Sequence, residues 1–175
     1  MKMNKVALMV VGLVLSTAVL ADNTIKFQGE VADQTCDISI NGNASTPLIL
    51  LPTVAKNALA NSGDTAGQTP FTISLTGCTA SGSATAIKTV FVGNNLTANG
   101  RMGNTGTASN VSLRLVDPVA SAIPLDLTGQ VGAAGLSLAA GATSAAHDFA
   151  VEYYSEGGAT AGSVLGSVQY SVSYQ

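Results

Sequence analysis

The chain ends Val164-Leu165-Gly166-Ser167-Val168-Gln169-Tyr170-Ser171-Val172-Ser173-Tyr174-Gln175. Val164, Gly166, Val168, Tyr170, Val172 and Tyr174 alternate with Ser167, Gln169, Ser171 and Ser173. A period of two puts one set on each face of a β-strand. The other end of the chain repeats the pattern: Ile25, Phe27, Gly29 and Val31 alternate with Lys26, Gln28, Glu30 and Ala32. Domain ends are usually polar and frayed. Here the two cleanest amphipathic strands are the terminal ones.

The sequence between them is also β in character. Cys36, Ile38 and Ile40 continue the alternation after a break at Asp33-Gln34, and Asn41-Gly42-Asn43 has turn chemistry. Pro47-Leu48-Ile49-Leu50-Leu51-Pro52 is an apolar run between prolines and predicts a short buried strand. Val54–Ala60 predicts a single helical turn, and Asn61–Gln68 a polar loop. Phe71, Ile73 and Leu75 predict a strand leading into Cys78. Further strands are expected at Ile87–Val92, at Val111 to Val116, around Leu125 and Leu127, around Leu136 and Leu138, and at Phe149, Val151 and Tyr153. Residues 94–110 read as a long loop or hairpin. Eight or nine short strands separated by turn signals imply an all-β antiparallel sandwich.

Residues 1–21 have the form of a secretory signal peptide. Lys2 and Lys5 precede the apolar stretch Val6–Leu15, and Val19-Leu20-Ala21 resembles a cleavage site. The apolar stretch is short for a bilayer span, which takes about 20 residues. Loss of Lys2 and Lys5 moves the formal charge from −3 to −5, so the expected mature chain, 22–175, is acidic. Export makes the cysteines legible. Cys36 and Cys78 are the only two, and an oxidising compartment favours a bridge between them. Closing that loop is worth roughly 4 kcal/mol in the chain-entropy account.

The composition excludes several functions. Seven Lys and Arg face ten Asp and Glu, so there is no basic surplus for a nucleic acid backbone. One His and two Cys do not make a tetrahedral zinc site without carboxylates or a second chain. His147 is the sole imidazole and reads as a solvated loop residue. Gly135-Leu136-Ser137-Leu138-Ala139 lacks the second glycine of a nucleophile elbow. Asp33, Asp37 and Asp64 do not fall into a calcium-loop pattern. Arg101 and Arg114 show no clustering in sequence that would form an anion site. The expectation is a protein with no enzyme activity, cofactor, metal or nucleic acid partner.

Periodicity leaves two arrangements open for the ends. Both terminal strands could be edges of one closed sandwich, or one of them could complete another molecule by strand addition. The residues then carry a resemblance. Phe27-Gln28-Gly29-Glu30-Val31, followed by Cys36, resembles the N-terminal stretch of chaperone–usher pilins of the type 1 fimbrial kind. So do Cys78 after an alternating strand, Tyr153-Tyr154 before a glycine-rich loop, penultimate Tyr174, and Gly162 as the fourteenth residue from the end.

The resemblance implies an immunoglobulin-like β-sandwich that lacks its last strand and is completed by donor-strand exchange. Residues 1–21 would be the signal peptide, 22–33 the donor extension and 34–175 the pilin domain. Ile25, Phe27, Gly29 and Val31 would enter a neighbour's groove. Gly162, Val168, Tyr170, Val172 and Tyr174 would form the C-terminal segment that meets a periplasmic chaperone. The implied partners are neighbouring subunits, that chaperone, an outer-membrane usher and a tip adhesin. The implied place is the cell surface, reached through the periplasm, and the implied role is structural subunit of an adhesive fibre. A minor or adaptor subunit, or a small adhesin binding a host glycan directly, is the alternative.

Overall fold

The computed structural model describes residues 35–119 and 122–175. The expected signal peptide, the expected donor extension, and with them Ile25, Phe27, Gly29 and Val31, lie outside the described residues.

The strands are β1 (Asp37–Ile40), β2 (Thr65–Thr76), β3 (Thr85–Gly93), β4 (Met102–Gly103), β5 (Val111–Asp117), β6 (Ile123–Pro124), β7 (Ala133–Leu138), β8 (Ala145–Ser155) and β9 (Val168–Tyr174). A single 3-10 turn, Lys56–Leu59, is the one helical element among the described residues. One sheet runs β1-β2-β8-β5-β4, with β6 paired to β5; the other runs β7-β3-β9. Every pairing is antiparallel.

The core forms where the alternating apolar sets of the two sheets meet. β2 contributes Phe71, Ile73 and Leu75; β3 contributes Ile87 and Phe91; β5 contributes Leu113 and Leu115; β7 contributes Leu136 and Leu138; β8 contributes Phe149 and Val151. Phe149 is fully buried at the centre. Its ring lies 5.4 Å from Phe91 in an edge-to-face contact and 6.1 Å from Phe71, a geometry that suits aromatic quadrupoles. The Cys36–Cys78 disulfide is formed and joins the start of β1 to the residues just after β2.

Several expectations are corrected. β2 begins at Thr65, inside the stretch read as a polar loop, because a bulge between Ala66 and Thr69 extends the pairing with β8 past Gly67. Leu125 and Leu127 lie outside any strand; the strand is Ile123–Pro124, and Leu127 is buried as a loop side chain. β9 begins at Val168 rather than Val164, because 160–167 leaves the ladder to bond the irregular segment 104–109. Pro47–Pro52 forms no strand among the described residues, and Leu48 and Leu50 are each 78% exposed. His147 is not a solvated loop residue. It lies in β8 with its side chain only 12% exposed, its Nε2 is 3.3 Å from Asp117 Oδ2, and its ring packs edge-on against Phe149. Gly135 makes room for that ring: its φ is +110°, and a Cβ there would lie 2.3 Å from His147 Cε1.

Candidate functional site: an open groove beside the last strand

β9 is the edge of its sheet. Its register with β3 pairs Tyr170 with Phe91 and Val172 with Thr89. Asn94 N–H donates to the Ser167 carbonyl and Gln175 N–H to the Ala86 carbonyl, so the odd-numbered residues direct their main-chain groups to β3. Antiparallel alternation then turns the N–H and C=O groups of Val168, Tyr170 and Val172 toward the opposite edge. Among the described residues no strand pairs there.

What faces that edge is a groove. One wall is the extended segment 45–54, which joins no strand ladder among the described residues. The other wall is 159–170. The groove holds two cavities in line. The larger, about 610 Å³, lies between Ile49 and Leu51 on one side and Gly166, Val168 and Tyr170 on the other. Its floor is core: Phe71, Phe91, Met102, Leu113, Leu115 and Val151. The smaller, about 380 Å³, lies between Val54 and 159–164, over Leu59, Ala108, Val111 and Tyr153. Core side chains of the sandwich, those of the larger floor each at most 5% exposed, thus form the floor of unfilled space along one line.

Two glycines shape the second wall. Gly162 lies against the backbone of 107–108, where a Cβ would sit 2.4 Å from Ala108 N. Gly106 approaches the same crossing from the other side, with a would-be Cβ 2.2 Å from the Ser163 carbonyl oxygen. The hydrogen bonds Thr105 N–H to Leu165 C=O and Ala108 N–H to Ser163 C=O hold the crossing together. Gly166 is bare over the floor, since a Cβ would meet Met102 Sδ at 2.5 Å.

The residues singled out in the C-terminal segment therefore have distinct places. Val168 and Tyr170 line the larger cavity, and Gly162 the smaller. Val172 and Tyr174 continue the same half-buried face against the core beyond the groove. The first wall is not legible in the sequence. Ile49 and Leu51 alternate with exposed Leu48 and Leu50 in a run that is apolar at every position, so periodicity could not assign a face. The alternation of Leu113 with Leu115 and of Phe149 with Val151 marked these as inward residues. Nothing in it said that the space above them is open.

The back of the larger sheet carries charge instead. The Arg101 guanidinium grips Glu156 with Nε–Oε1 of 2.9 Å and NH2–Oε2 of 2.7 Å, and Ser112 Oγ donates to Glu156 at 2.6 Å. Those bonds hold the Glu156 carboxyl below the usual carboxylate range. Arg114 Nε bonds Glu152 at 2.5 Å. Both guanidinium groups lie on the Tyr154 ring, at 4.0 and 5.5 Å from its centre. The fold thus does bring Arg101 and Arg114 together, but each has its own carboxylate. No group of three or more metal-ligating side chains occurs among the described residues, and no described helix is long and apolar enough to cross a membrane.

The model of the fimbrial protein family matches residues 25–175. The chain belongs to the fimbrial protein family. This fimbrial subunit is 38% identical over 165 residues to the major fimbrial subunit SMF-1 of Stenotrophomonas maltophilia, covering 88% of this chain and 93% of that one. It is 37% identical over 169 residues to the F17 fimbrial protein of Escherichia coli, covering 91% and 92%. Its fold is similar to that of the P pilus rod subunit PapA, with a TM-score of 0.58 at 12% identity over 79% of this chain and 99% of that one. The fimbrial subunit is a structural protein of the cell surface and not an enzyme.

Proposed function

We propose that this fimbrial subunit builds the shaft of its fibre by donor-strand exchange. Residues 22–33 of one subunit enter the groove of the next, and a periplasmic chaperone and an outer-membrane usher handle the subunit before that exchange. The single observation that carries this reading is the open groove between 45–54 and 159–170, with core side chains as its floor and β9 paired on one side only among the described residues. The chain itself contains a segment of matching chemistry in Ile25, Phe27, Gly29 and Val31. An inserted strand would satisfy the outward main-chain groups of Val168, Tyr170 and Val172. Burying an Ile, a Phe and a Val side chain is worth roughly 1.5–3 kcal/mol each, which favours very slow dissociation. Relatives of 38% and 37% identity that carry fimbrial names support the role of repeating subunit.

The test separates the donor role from a place in the subunit's own core. Deletion of 22–33 leaves a chaperone-bound subunit that is folded but does not polymerise. Gly29→Leu adds bulk where a shallow seat is expected, and overpacking costs roughly 1–3 kcal/mol. It slows or stops fibre growth while the chaperone-bound melt is unchanged. A deletion variant that fails to fold with the chaperone would overturn the assignment.

A further inference from the structure

The groove is divided, and the divider is tied to the fold at one point. The larger cavity reaches Leu51 on one wall and Gly166 on the other; the smaller begins at Thr53 and ends at Val164. Pro52 lies at this boundary and, as a proline, offers no N–H to an incoming strand. Its carbonyl is not idle: the Tyr153 hydroxyl donates to it at 3.2 Å. Among the described residues this is the one hydrogen bond from the sandwich to the wall 46–54. Tyr153 stands on the same face of β8 as Val151 and Phe149 and floors the smaller cavity. The β2 bulge is what admits its ring. Gly67 there has φ +66°, and a Cβ would lie 2.9 Å from Tyr153 Cδ2 and 3.1 Å from Val54 Cγ1. Gly67, Tyr153 and Val54 thus interlock beneath the wall, and the hydroxyl anchors that wall at Pro52.

We propose that Tyr153 is a positioning residue of the groove: its bond to Pro52 holds the wall 52–54 at the spacing at which the smaller cavity seats one donor side chain. The inference rests on the donor-strand reading and adds to it a division of labour. The larger cavity is shaped by packed core residues, Phe71, Phe91, Leu113 and Leu115, and needs no such tie. The smaller one has a wall held by the packing of Val54 and by one neutral hydrogen bond, so removing that bond loosens the wall.

Tyr153→Phe is the test, because it keeps the ring and its packing and removes only the hydroxyl. The protein is the full mature chain, taken as its chaperone complex. The probe is a fluorophore-labelled synthetic peptide of residues 22–33, with three further peptides carrying alanine in place of Ile25, Phe27 or Val31. After the peptide has displaced the chaperone, its loss is followed under an excess of unlabelled peptide in moderate urea. The unaltered peptide is expected to leave the variant roughly 3- to 10-fold faster than the parent, the size of effect of one hydrogen bond. The alanine penalty at one donor position is expected to shrink by at least half in the variant, while the other two keep theirs. Equal peptide loss from parent and variant overturns the proposal, and so does faster loss with all three penalties intact.

Amide hydrogen exchange at Ala58 of the chaperone-bound subunit, whose N–H donates to the Ala55 carbonyl at the end of that wall, is the second readout. It rises severalfold in Tyr153→Phe, with exchange at 71–75 unchanged, if the tie holds the wall; equal exchange overturns the proposal. A peptide that does not enter the parent groove at all would sink the donor-strand reading itself. The hydrogen exchange comparison would then decide on Tyr153 alone.

Discussion

Gly162 and Gly106 show how single residues set the groove's second wall. Each leaves out a Cβ that would meet backbone atoms at 2.4 and 2.2 Å, and backbone cannot swing aside as a flexible side chain does. Gly162→Val is expected to destabilise the chaperone-bound subunit by roughly 1–3 kcal/mol, the range for overpacking. A thermal melt beside the parent complex checks it, and an unchanged melt would refute the close approach. Glu156 gives a pH prediction. Hydrogen bonding to Arg101 first, and to Ser112 after it, outweighs burial and lowers its folded pKa below the ordinary glutamate value. A lowered carboxylate pKa stabilises the fold above the unfolded value and loses that contribution as pH falls through the folded one. Glu156→Gln should therefore be less stable than the parent at neutral pH, with the gap closing below about pH 4.5. Urea midpoints at pH 7 and pH 3.5 measure it; an equal gap at both would contradict the bond's role.

At the scale of elements, the segment 45–54 and the strand β9 stand on either side of the groove. Their sequences differ in how far they reveal this. In β9 the polar residues alternate, so the period of two puts Val168, Tyr170 and Val172 together on one apolar face. In Pro47–Pro52 every residue is apolar, and only the packing shows that Ile49 and Leu51 lie against the core while Leu48, at the cavity's rim, and Leu50 are exposed. Substituting Leu48→Ser and Leu50→Ser together is expected to shift stability by less than about 1 kcal/mol, as for other exposed sites. Leu115→Ala, in the floor, is expected to cost roughly 2–5 kcal/mol. Chemical denaturation of the peptide-completed subunit compares the two; a large loss from the serine pair would mean that this side of the wall is buried. The prolines at 47 and 52 interrupt the donors on this otherwise exposed edge, a known guard against unwanted strand pairing.

At the scale of the whole molecule, the donor-strand reading predicts that a subunit with an unfilled groove over its core is unstable on its own. Mature 22–175 expressed without its chaperone is expected to aggregate or be degraded, and co-expression of the cognate chaperone to rescue it. A monodisperse, strictly monomeric chain with a two-state unfolding transition, seen by light scattering and calorimetry, would count heavily against an open groove. The disulfide acts against this fragility from the other end of the sandwich. It ties β1, a four-residue edge strand, to the residues that follow β2, and Cys36→Ala with Cys78→Ala is expected to cost roughly 4 kcal/mol.

Sequence alone determined the β class, the inward faces of the strands with alternating residues, and the cysteine pair. These follow from local periods of two and from a count of residues, and neither depends on where other parts of the chain lie. The tertiary structure decided the rest. His147 is sheltered because Asp117, Phe149 and Gly135 converge on it from three strands or strand ends. Arg101 and Arg114 share one tyrosine because β5 lies beside β8 and β4, which follows Arg101, lies beside β5. The groove exists because 45–54 and 159–170 stand apart with no described strand between them, over a floor drawn from several elements. An opening of that kind is a relation between distant segments, and no run of residues contains it.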